Sequence, residues 1–403
     1  MPRTEAFIID AVRTLVGKYG GVLRDVRPDD LSALVIKALL ERTKLDPSRV
    51  QDVLWGCANQ AGEDNRNVSR MALLLAGLPN SVPGTTINRL CGSSLDAINH
   101  AARAIWSDDL DIVIAGGVES MSRAPYSVPK NQSGSYGNVT AYDTSLGWRY
   151  PNPNMESAIG GPLESMGETA ENVAEKYKIS REEQDKFAFE SHMKAVKAQK
   201  DCRFQDELIP VKIPQKKGEP IIVKQDEGPR ADTSIEKLSK LQPAFRKNGT
   251  VTAGNSSSLN DGAAAILIVG EKKLKQTGFK PIARIVATGV AGVDPRYMGI
   301  GPVPAVEIAL QKASLTMNHI DLIELNEAFA AQSIAVVRDL HIDPTKLNVN
   351  GGAIALGHPL GCSGARIMTT LLHEMKRRKA RYGLATMCIG VGQGIATIVE
   401  GCY

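Results

Sequence analysis

The chain has 403 residues, of which 43% are hydrophobic and 23% charged, a composition typical of folded globular proteins that excludes a collagenous or a disordered chain. A chain of this length is too long to fold around a single hydrophobic core, so we expect two or three units that each bury an apolar interior. The net charge of +4 is small and Lys and Arg are scattered, which argues against a nucleic-acid partner and leaves room for an anionic small-molecule ligand.

The cysteines and the N-terminus argue against several further classes of protein. Six cysteines are dispersed along the chain without a Cys-x-x-Cys pair, which argues against a disulfide framework and a zinc knuckle, and no metal site is predicted. The opening MPRTEAFIIDAVRT lacks a long apolar region, and no stretch reaches the roughly 18–20 apolar residues of a membrane span. We therefore expect a cytoplasmic protein without a membrane partner.

The first 120 residues alternate helical and strand patterns. The patterns predict a helix over 29–45, a strand over 50–56, a helix over 95–106 and a buried strand over 110–117. This alternation is typical of an α/β fold.

Residues 121–250 have a different composition. They are rich in Pro, Gly, Asn and Lys, and only 168–177 and 181–199 show a clear helical pattern. So long a segment would not stay irregular without a role or a small core of its own. We interpret residues 121–250 as a loop domain that covers another part of the molecule.

The last 120 residues repeat the order of the first. They predict a helix over 303–315, a strand over 319–325, a helix over 361–375 and a strand over 382–390. A glycine-and-thiol turn precedes the second helix in each half, LCGSS in one and LGCSGA in the other. The chain therefore has the pattern of a tandem duplication.

Cys91 lies in NRLCGSSLDA, between a strand end and the apolar stripe of a predicted helix. Unpaired backbone N–H groups and the positive end of the helix dipole favour a thiolate at such a position. Free cysteines are also common as small buried hydrophobic residues. Position alone leaves both interpretations open.

Three further residues occur in patterns that suit chemistry. Asn326 follows a predicted strand, where it either orients a water or a substrate oxygen, or serves as a turn or cap residue. His358 is surrounded by glycines, which permit close backbone approach and favour a functional over a structural imidazole. Cys388 ends an apolar strand, and we interpret its thiol as a proton donor and acceptor. The GVGQG that follows lacks the full fingerprint of a dinucleotide-binding loop.

In chain order, NRLCGSSLDA, VTAGNSSSLNDGAAA, NEAFAAQ, GGAIALGHPLGCSGAR and CIGVGQG resemble the signatures of the thiolase family. The resemblance runs from about residue 5 to the C-terminus. It implies the thiolase fold, an α/β fold in which two duplicated halves form a five-layer αβαβα arrangement with an inserted loop domain. The implied boundaries are 1–120 with 251–275 for the N-terminal half, 121–250 for a loop domain that covers the active site and binds CoA, and 276–403 for the C-terminal half.

The resemblance also implies the catalytic roles. Cys91 matches the nucleophile that becomes acylated, His358 the imidazole that activates it, and Cys388 the acid/base at the substrate α-carbon. Asn326 matches the residue that holds a water in one oxyanion hole, where His358 is the other member. The second hole is implied to consist of the backbone N–H groups of Cys91 and Gly390.

Coenzyme A is implied to be a substrate, with no tightly bound cofactor. Arg230 matches a residue at the adenine and phosphate end of CoA, and Ala253 and Ser257 match residues along its pantetheine arm. Met166 and Phe329 match residues that line the acyl pocket. The implied assembly is a homo-oligomer, a dimer or a tetramer.

Within the family, GCANQAGEDNRNVSRMALLLAGLP and GWRYPNPNM resemble the 3-oxoadipyl-CoA thiolases of aromatic-compound breakdown. This implies cleavage of 3-oxoadipyl-CoA to succinyl-CoA and acetyl-CoA through an acyl-Cys91 intermediate. Acetoacetyl-CoA thiolase and a broader 3-ketoacyl-CoA thiolase are the alternatives. The terminal carboxylate of 3-oxoadipyl-CoA calls for a cation, and Arg149 is the first candidate, with Arg66 and Arg70 behind it.

Two serines depart from the family pattern, since Ser94 and Ser258 stand where glycine is usual. We expect Ser94 to be helical and therefore unstrained. Rival classes differ at the motifs. A decarboxylating ketoacyl synthase would carry a histidine at position 388, a non-catalytic acyl-CoA binder would lack one of the three central residues, and a cysteine hydrolase would turn over without CoA.

Overall fold

The computed structural model describes residues 3–130, 138–215 and 217–403. The α-helices of these ranges are α1 (Pro28–Thr43), α2 (Val68–Leu75), α3 (Ser93–Trp106), α4 (Met155–Ile159), α5 (Met166–Tyr177), α6 (Arg181–Lys200), α7 (Ile235–Ser239), α8 (Glu271–Thr277), α9 (Pro302–Ala313), α10 (Ala330–Asp339), α11 (Ala353–Leu356) and α12 (Leu360–Arg378). The strands are β1 (Ala6–Arg13), β2 (Gly17–Lys18), β3 (Asp52–Gly56), β4 (Gly84–Ile87), β5 (Ile112–Ser120), β6 (Tyr126–Ser127), β7 (Tyr142–Asp143), β8 (Val211–Ile213), β9 (Ile221–Val223), β10 (Asn260–Gly270), β11 (Ala283–Gly292), β12 (Leu322–Leu325), β13 (Tyr382–Ile389) and β14 (Gln393–Gly401).

The main sheet consists of two half-sheets with the same internal order. The N-terminal half-sheet runs β1-β10-β5-β3-β4 and the C-terminal half-sheet runs β11-β14-β13-β12. In each, the first three strands are antiparallel neighbours and the next pairing is parallel, β5 with β3 and β13 with β12. Three residue pairs between β1 and β11 join the two half-sheets. The tandem duplication predicted from the repeated patterns is therefore visible in the strand pairing.

The helices and half-sheets form five layers. Helices α3 and α12 contact each other and strands of both half-sheets, which places them in the central layer. Helices α1 and α2 cover the outer face of the N-terminal half-sheet, and α9 covers that of the C-terminal one. One cluster of apolar side chains fills the space between the central helices and both half-sheets, and two further clusters lie beneath the outer helices. The predicted α/β class and αβαβα arrangement are confirmed.

The periodic segments form the elements that they predict. The four predicted elements of the first 120 residues are α1, β3, α3 and β5, and those of the last 120 residues are α9, β12, α12 and β13. The two helical patterns between them are α5 and α6. The turn LGCSGA differs from its prediction, because its residues already belong to the first turns of α12.

The segment 121–250 packs on both halves of the molecule. Helix α5 contacts α10, and helix α6 contacts α10 and α11, so these helices lie on the C-terminal half. The buried guanidinium of Arg13 in β1 binds Glu207 at 2.6 Å and Asp226 at 2.7 Å, which attaches the segment to the N-terminal half. Removing one partner of such a buried pair leaves an uncompensated charge, so these contacts fix the position of the segment. Among the described residues, no helix combines the length and apolar character that a membrane crossing requires.

Candidate active site

Cys91 lies at the start of the central helix α3. The helix begins at Ser93 with Gly92 as its N-cap residue, so the thiol precedes the first turn, as the sequence predicts. The Ser93 hydroxyl accepts a hydrogen bond from the Arg89 N–H at 2.9 Å and donates one to the Leu90 carbonyl at 2.6 Å. These bonds close a tight turn that presents Cys91, which is partly exposed.

Ser94 is helical, as expected, and fully buried. Its hydroxyl accepts a hydrogen bond of 2.9 Å from the Ala365 N–H, one of the backbone donors in the first turns of α12. The two helices approach so closely here that a Cβ on Gly364 would lie 2.3 Å from the Leu95 nitrogen. Ser94 therefore adds a buried hydrogen bond that links the two central helices at their closest approach.

We expect Ser94→Ala to lower the free energy of unfolding by about 1 kcal/mol, because a buried hydrogen bond between the two central helices is lost. Urea denaturation measures the change. Ser107→Ala is the matched control on the same helix, since its hydroxyl is exposed, and we expect a change below about 0.5 kcal/mol. Equal denaturation midpoints for parent and Ser94→Ala would contradict the role assigned to this hydroxyl.

Cys388 and Gly390 lie at the end of β13, facing the Cys91 turn. Cys388 is buried and belongs to an apolar cluster with Phe329 and Met166. A Cβ placed on Gly390 would lie 3.3 Å from the Met166 sulfur and 3.4 Å from a Leu90 methyl, so the chain beside Cys91 and the strand end are in contact. The structure thus brings together residues that lie far apart in the sequence.

The backbone is unusual on both sides of the pair of N–H groups from Cys91 and Gly390. Leu90 has φ of 46° and Val391 has φ of 63°, in the left-handed region that bulky side chains rarely adopt. Such conformations cost on the order of 1–3 kcal/mol each and persist where the surroundings enforce them. No pattern in the sequence indicates these two conformations, which occur in the turns that orient the two N–H groups.

His358 is held rigidly between α11 and α12. Its N–H donates to the Asn260 side-chain oxygen at 2.9 Å. Gly357 has φ of 113°, and a Cβ there would lie 2.5 Å from the Asn260 amide, so only glycine fits before this histidine. The Ser363 hydroxyl lies 2.6 Å from His358 Nδ1 and 2.9 Å from the Pro359 carbonyl.

These contacts are compatible with one tautomer of His358 that leaves Nε2 unprotonated. In this tautomer Nδ1 carries the ring hydrogen and donates it to the Ser363 hydroxyl, whose own proton goes to the Pro359 carbonyl. The imidazole is arranged to act as a base through Nε2.

Asn326 directly follows β12, as the sequence predicts. Its backbone N–H donates to the Thr386 carbonyl at 3.0 Å, and its side-chain nitrogen lies 3.4 Å from both ring nitrogens of His358. Among the residues that the structure describes, none donates to the buried Asn326 side-chain oxygen. This acceptor beside the imidazole can bind a water or a substrate group.

The charge states of the three central groups follow from burial. Burial raises the pKa of Cys91 to about 11, although the N–H groups of Gly390 and of Cys91 itself oppose the shift. Burial, and then the charge of Arg366, lower the pKa of His358 to about 3. Burial and the neighbouring Cys91 raise the pKa of Cys388 well above its ordinary range. Desolvation thus outweighs the local N–H groups, and the position before α3 does not by itself make Cys91 a resting thiolate.

At neutral pH the site holds a thiol, a neutral imidazole and a second thiol. We therefore expect the rate of Cys91 alkylation by iodoacetamide to rise roughly tenfold per pH unit between about pH 7 and pH 10, because only the thiolate fraction reacts. His358 stays neutral across this range and adds no step. Peptide mass spectrometry follows the modified Cys91, and Cys91→Ala serves as the blank. A rate that is level from neutral pH upward would indicate a thiolate–imidazolium pair instead.

The residues matched to CoA contacts divide into two groups. Arg230 and Ala253 line a cavity of about 390 Å³, and its wall also carries Lys18 and the ion pair of Lys237 with Asp232 at 2.9 Å. Ser257 lies between two residues that line this cavity, and its own N–H and hydroxyl both donate to the Ala328 carbonyl. Met166 and Phe329 lie instead in the apolar cluster around Cys388. The cationic cavity suits a phosphorylated ligand, and the cluster suits an acyl chain.

Glu119 joins two segments next to the site through hydrogen bonds, a role that was not predicted from the sequence. Its buried carboxylate accepts hydrogen bonds from the N–H groups of Ala58 at 3.0 Å, Asn59 at 3.2 Å and Gly361 at 2.8 Å. It therefore links the loop after β3 to the first turn of α12, just beyond His358. Burial raises its pKa to about 7, opposed by these N–H groups. Asn260, Ser363 and Glu119 were missed because their partners are distant in sequence or lie in non-periodic turns.

Comparison with known proteins gives consistent matches over the whole chain. Residues 6–272 match the family model of the thiolase N-terminal domain, and residues 279–401 match that of the thiolase C-terminal domain. The chain is 55% identical over 399 residues to the 3-oxoadipyl-CoA/3-oxo-5,6-dehydrosuberyl-CoA thiolase of Escherichia coli (strain K12), with coverage of 98% of this chain and 99% of the relative. It is 53% identical to a beta-ketoadipyl-CoA thiolase of Acinetobacter baylyi with the same coverage. The crystal structure of human mitochondrial 3-ketoacyl-CoA thiolase in complex with CoA superimposes with a TM-score of 0.92 at 43% identity, covering 100% of this chain and 98% of that one.

Proposed function

Because the chain belongs to the thiolase family, and is thus an acyltransferase that uses CoA, we propose that it cleaves 3-oxoadipyl-CoA with CoA to succinyl-CoA and acetyl-CoA. The single observation that supports the chemistry is the contact of the Cys91 turn with the end of β13, where Cys388 and Gly390 lie. His358 lies beside Asn326, at the end of the strand that pairs with β13. The substrate assignment is supported by relatives of 52–55% identity over 98% of the chain that are named for 3-oxoadipyl-CoA or beta-ketoadipyl-CoA.

In the first half-reaction, Nε2 of His358 takes the proton of Cys91, and the thiolate attacks the 3-keto carbon of the substrate. The resulting alkoxide accepts hydrogen bonds from the N–H groups of Cys91 and Gly390. The bond between C2 and C3 breaks, and its electron pair forms the enolate of acetyl-CoA. Cys388 donates its proton to C2, which releases acetyl-CoA and leaves a succinyl group on Cys91.

The enolate oxygen needs its own donors while the carbon–carbon bond breaks. The protonated Nε2 of His358 can donate to it directly. A water accepted by the Asn326 side-chain oxygen can donate its second hydrogen to the same atom. Asn326 and His358 would therefore form one oxyanion hole and the two backbone N–H groups the other, as each developing charge requires.

In the second half-reaction, the Cys388 thiolate removes the proton of the CoA thiol. The CoA thiolate attacks the acyl carbon, the bond to Cys91 breaks, and succinyl-CoA leaves. The departing Cys91 sulfur recovers its proton from His358. Each residue ends in its starting state, and the same steps in reverse form a carbon–carbon bond.

CoA is proposed to occupy the cavity lined by Arg230 and Lys18, whose cations complement its phosphates. The pantetheine arm would pass Ala253 and Ser257 towards the cluster of Met166 and Phe329. The loop domain 121–250 and the halves on either side of it, 1–120 with 251–275 and 276–403, are proposed as the domains. A dimer or tetramer in the cytoplasm is proposed as the working form.

A substrate panel tests the substrate assignment. The absorbance of the 3-oxoacyl-CoA is followed after addition of CoA, for 3-oxoadipyl-CoA, acetoacetyl-CoA and 3-oxohexanoyl-CoA. We expect kcat/KM to be highest for 3-oxoadipyl-CoA. Equal values for 3-oxoadipyl-CoA and 3-oxohexanoyl-CoA, which differ in the terminal carboxylate, would contradict it and favour a broader 3-ketoacyl-CoA thiolase.

A further inference from the structure

We propose that Arg149 binds the terminal carboxylate of the acyl chain and thereby determines substrate choice, an inference that rests on the proposed function. The succinyl group carried by Cys91 ends in a carboxylate only a few bonds from the sulfur. A carboxylate removed from water needs a paired cation or several hydrogen-bond donors. The residue that supplies them must therefore lie at the acyl end of the site.

The chain around Arg149 lies against the acyl end. The indole N–H of Trp148 donates to the Glu164 carbonyl at 2.9 Å. The Trp148 ring lines a small hollow together with Met166 and Val391. Met166 contacts Gly390, whose N–H is directed at Cys91. Trp148, the residue before Arg149, is therefore linked to the nucleophile through Met166 and Gly390.

The guanidinium of Arg149 is held by a backbone carbonyl of the same loop. Its Nη1 donates to the Thr144 carbonyl at 2.7 Å. That carbonyl also accepts a hydrogen bond of 3.2 Å from the side chain of Asn59, and both Thr144 and Asn59 are buried. The cation is thus fixed at one nitrogen by buried neighbours, which reduces the entropy cost of ordering it on a ligand.

Asn59 connects this loop to the nucleophile through the residue beside it. The Ala58 carbonyl accepts a hydrogen bond of 2.9 Å from the side chain of Asn88. The Asn88 side-chain oxygen in turn accepts one of 2.9 Å from the N–H of Leu90, the neighbour of Cys91. The loop that holds the Arg149 guanidinium is therefore linked by hydrogen bonds to the chain segment that carries Cys91.

Other arginines in this region are already paired. Arg89 binds Asp96 at 2.8 Å, Arg123 binds Glu63, and Arg296 binds Asp294 at 2.9 Å. Arg149, by contrast, has no carboxylate within 4.0 Å in the described ranges 3–130, 138–215 and 217–403. Only one of its five N–H groups donates there, so its planar fork can still receive a carboxylate through two parallel hydrogen bonds.

The two reserve candidates from the sequence are less suited. The guanidinium of Arg70 donates to the carbonyls of Val82 and Asn80, so it serves to hold the turn after α2. Arg66 is exposed and has φ of 63°. Arg66 is a suitable control because it is an exposed arginine that does not share the hydrogen bond of Arg149 to the Thr144 carbonyl.

The test compares Arg149→Met, Arg149→Lys, Arg66→Met and the parent on 3-oxoadipyl-CoA and 3-oxohexanoyl-CoA. We expect Arg149→Met to lower kcat/KM for 3-oxoadipyl-CoA roughly 10- to 100-fold, as loss of a charge-assisted hydrogen bond does, and to change that for 3-oxohexanoyl-CoA less than about threefold. Retained turnover of the uncharged substrate shows that the variant is folded. Arg149→Lys should recover part of the loss, and Arg66→Met should resemble the parent.

Two results would overturn the inference in different ways. If the parent prefers 3-oxoadipyl-CoA and Arg149→Met keeps that preference, or loses activity equally on both substrates, Arg149 does not read the carboxylate and the proposed function stands. If the parent itself does not distinguish the two substrates, the proposed substrate is wrong and the inference falls with it.

Discussion

Cys91→Ala is expected to lower kcat for thiolysis by at least about 10⁴-fold, the largest effect of any single substitution. Alanine removes the atom that carries the acyl group, and no other described thiol occupies the same turn. Cys388 is a neighbour, but it is buried and directed to another role at the substrate α-carbon. Loss of 3-oxoacyl-CoA absorbance on adding CoA measures the effect.

The control for this substitution is Cys202→Ala, because Cys202 is exposed and lies in the turn after α6, away from the site. It should retain the activity of the parent. Binding of CoA to Cys91→Ala, measured by calorimetry, separates loss of chemistry from loss of fold. Residual thiolysis of Cys91→Ala within tenfold of the parent would remove Cys91 from the mechanism.

Cys388→Ala is expected to lower kcat by about 10²- to 10⁴-fold, the usual contribution of a positioned general acid or base. The proton added to or taken from the substrate α-carbon then lacks its protein partner. A more selective measurement is the exchange of acetyl-CoA methyl protons with D₂O, followed by NMR, since this exchange needs the enolate but no net turnover. We expect Cys388→Ala to lose the exchange to a similar extent.

Alkylation of Cys91 provides the control for Cys388→Ala. The substitution leaves the Cys91 turn, Gly390 and the bonds around Ser363 in place, so iodoacetamide should still modify Cys91. Parent-like methyl exchange in a variant that has lost thiolysis would contradict the role of Cys388 at the α-carbon. It would direct attention to His358 as the group that moves this proton.

The elements that the sequence predicted show either a helical spacing of apolar residues or a short continuous apolar run. Helix α3 and strand β5 are examples, because helical spacing in one and a short apolar run between polar turns in the other suffice to identify them. Strand β10 was missed: it is buried along its whole length and reads as NDGAAAILIVG, which has no alternation and suits a helix as well. Its neighbour β1, which contains the buried Arg13, was missed too.

The chemistry-bearing residues of the site could be found because each stands in a distinctive local stretch. Their supports could not. Asn260 binds the His358 N–H, Glu119 binds the Gly361 N–H, and the residues of each pair are about a hundred or more positions apart. The charge state of Cys91 could not be predicted from the sequence for a related reason. A helix end is local and visible in the sequence, whereas the burial that raises the pKa of the thiol comes from the assembled fold.

The central claim is that Cys91 carries the succinyl group between two half-reactions. Its most direct test is intact-protein mass spectrometry after the parent is mixed with 3-oxoadipyl-CoA in the absence of CoA, followed by digestion to locate the adduct. The account predicts one succinyl group per chain, on the peptide that contains Cys91, together with one acetyl-CoA released and removal of the adduct when CoA is added. Continuous release of free succinate without CoA, or an adduct on any other residue, would contradict it.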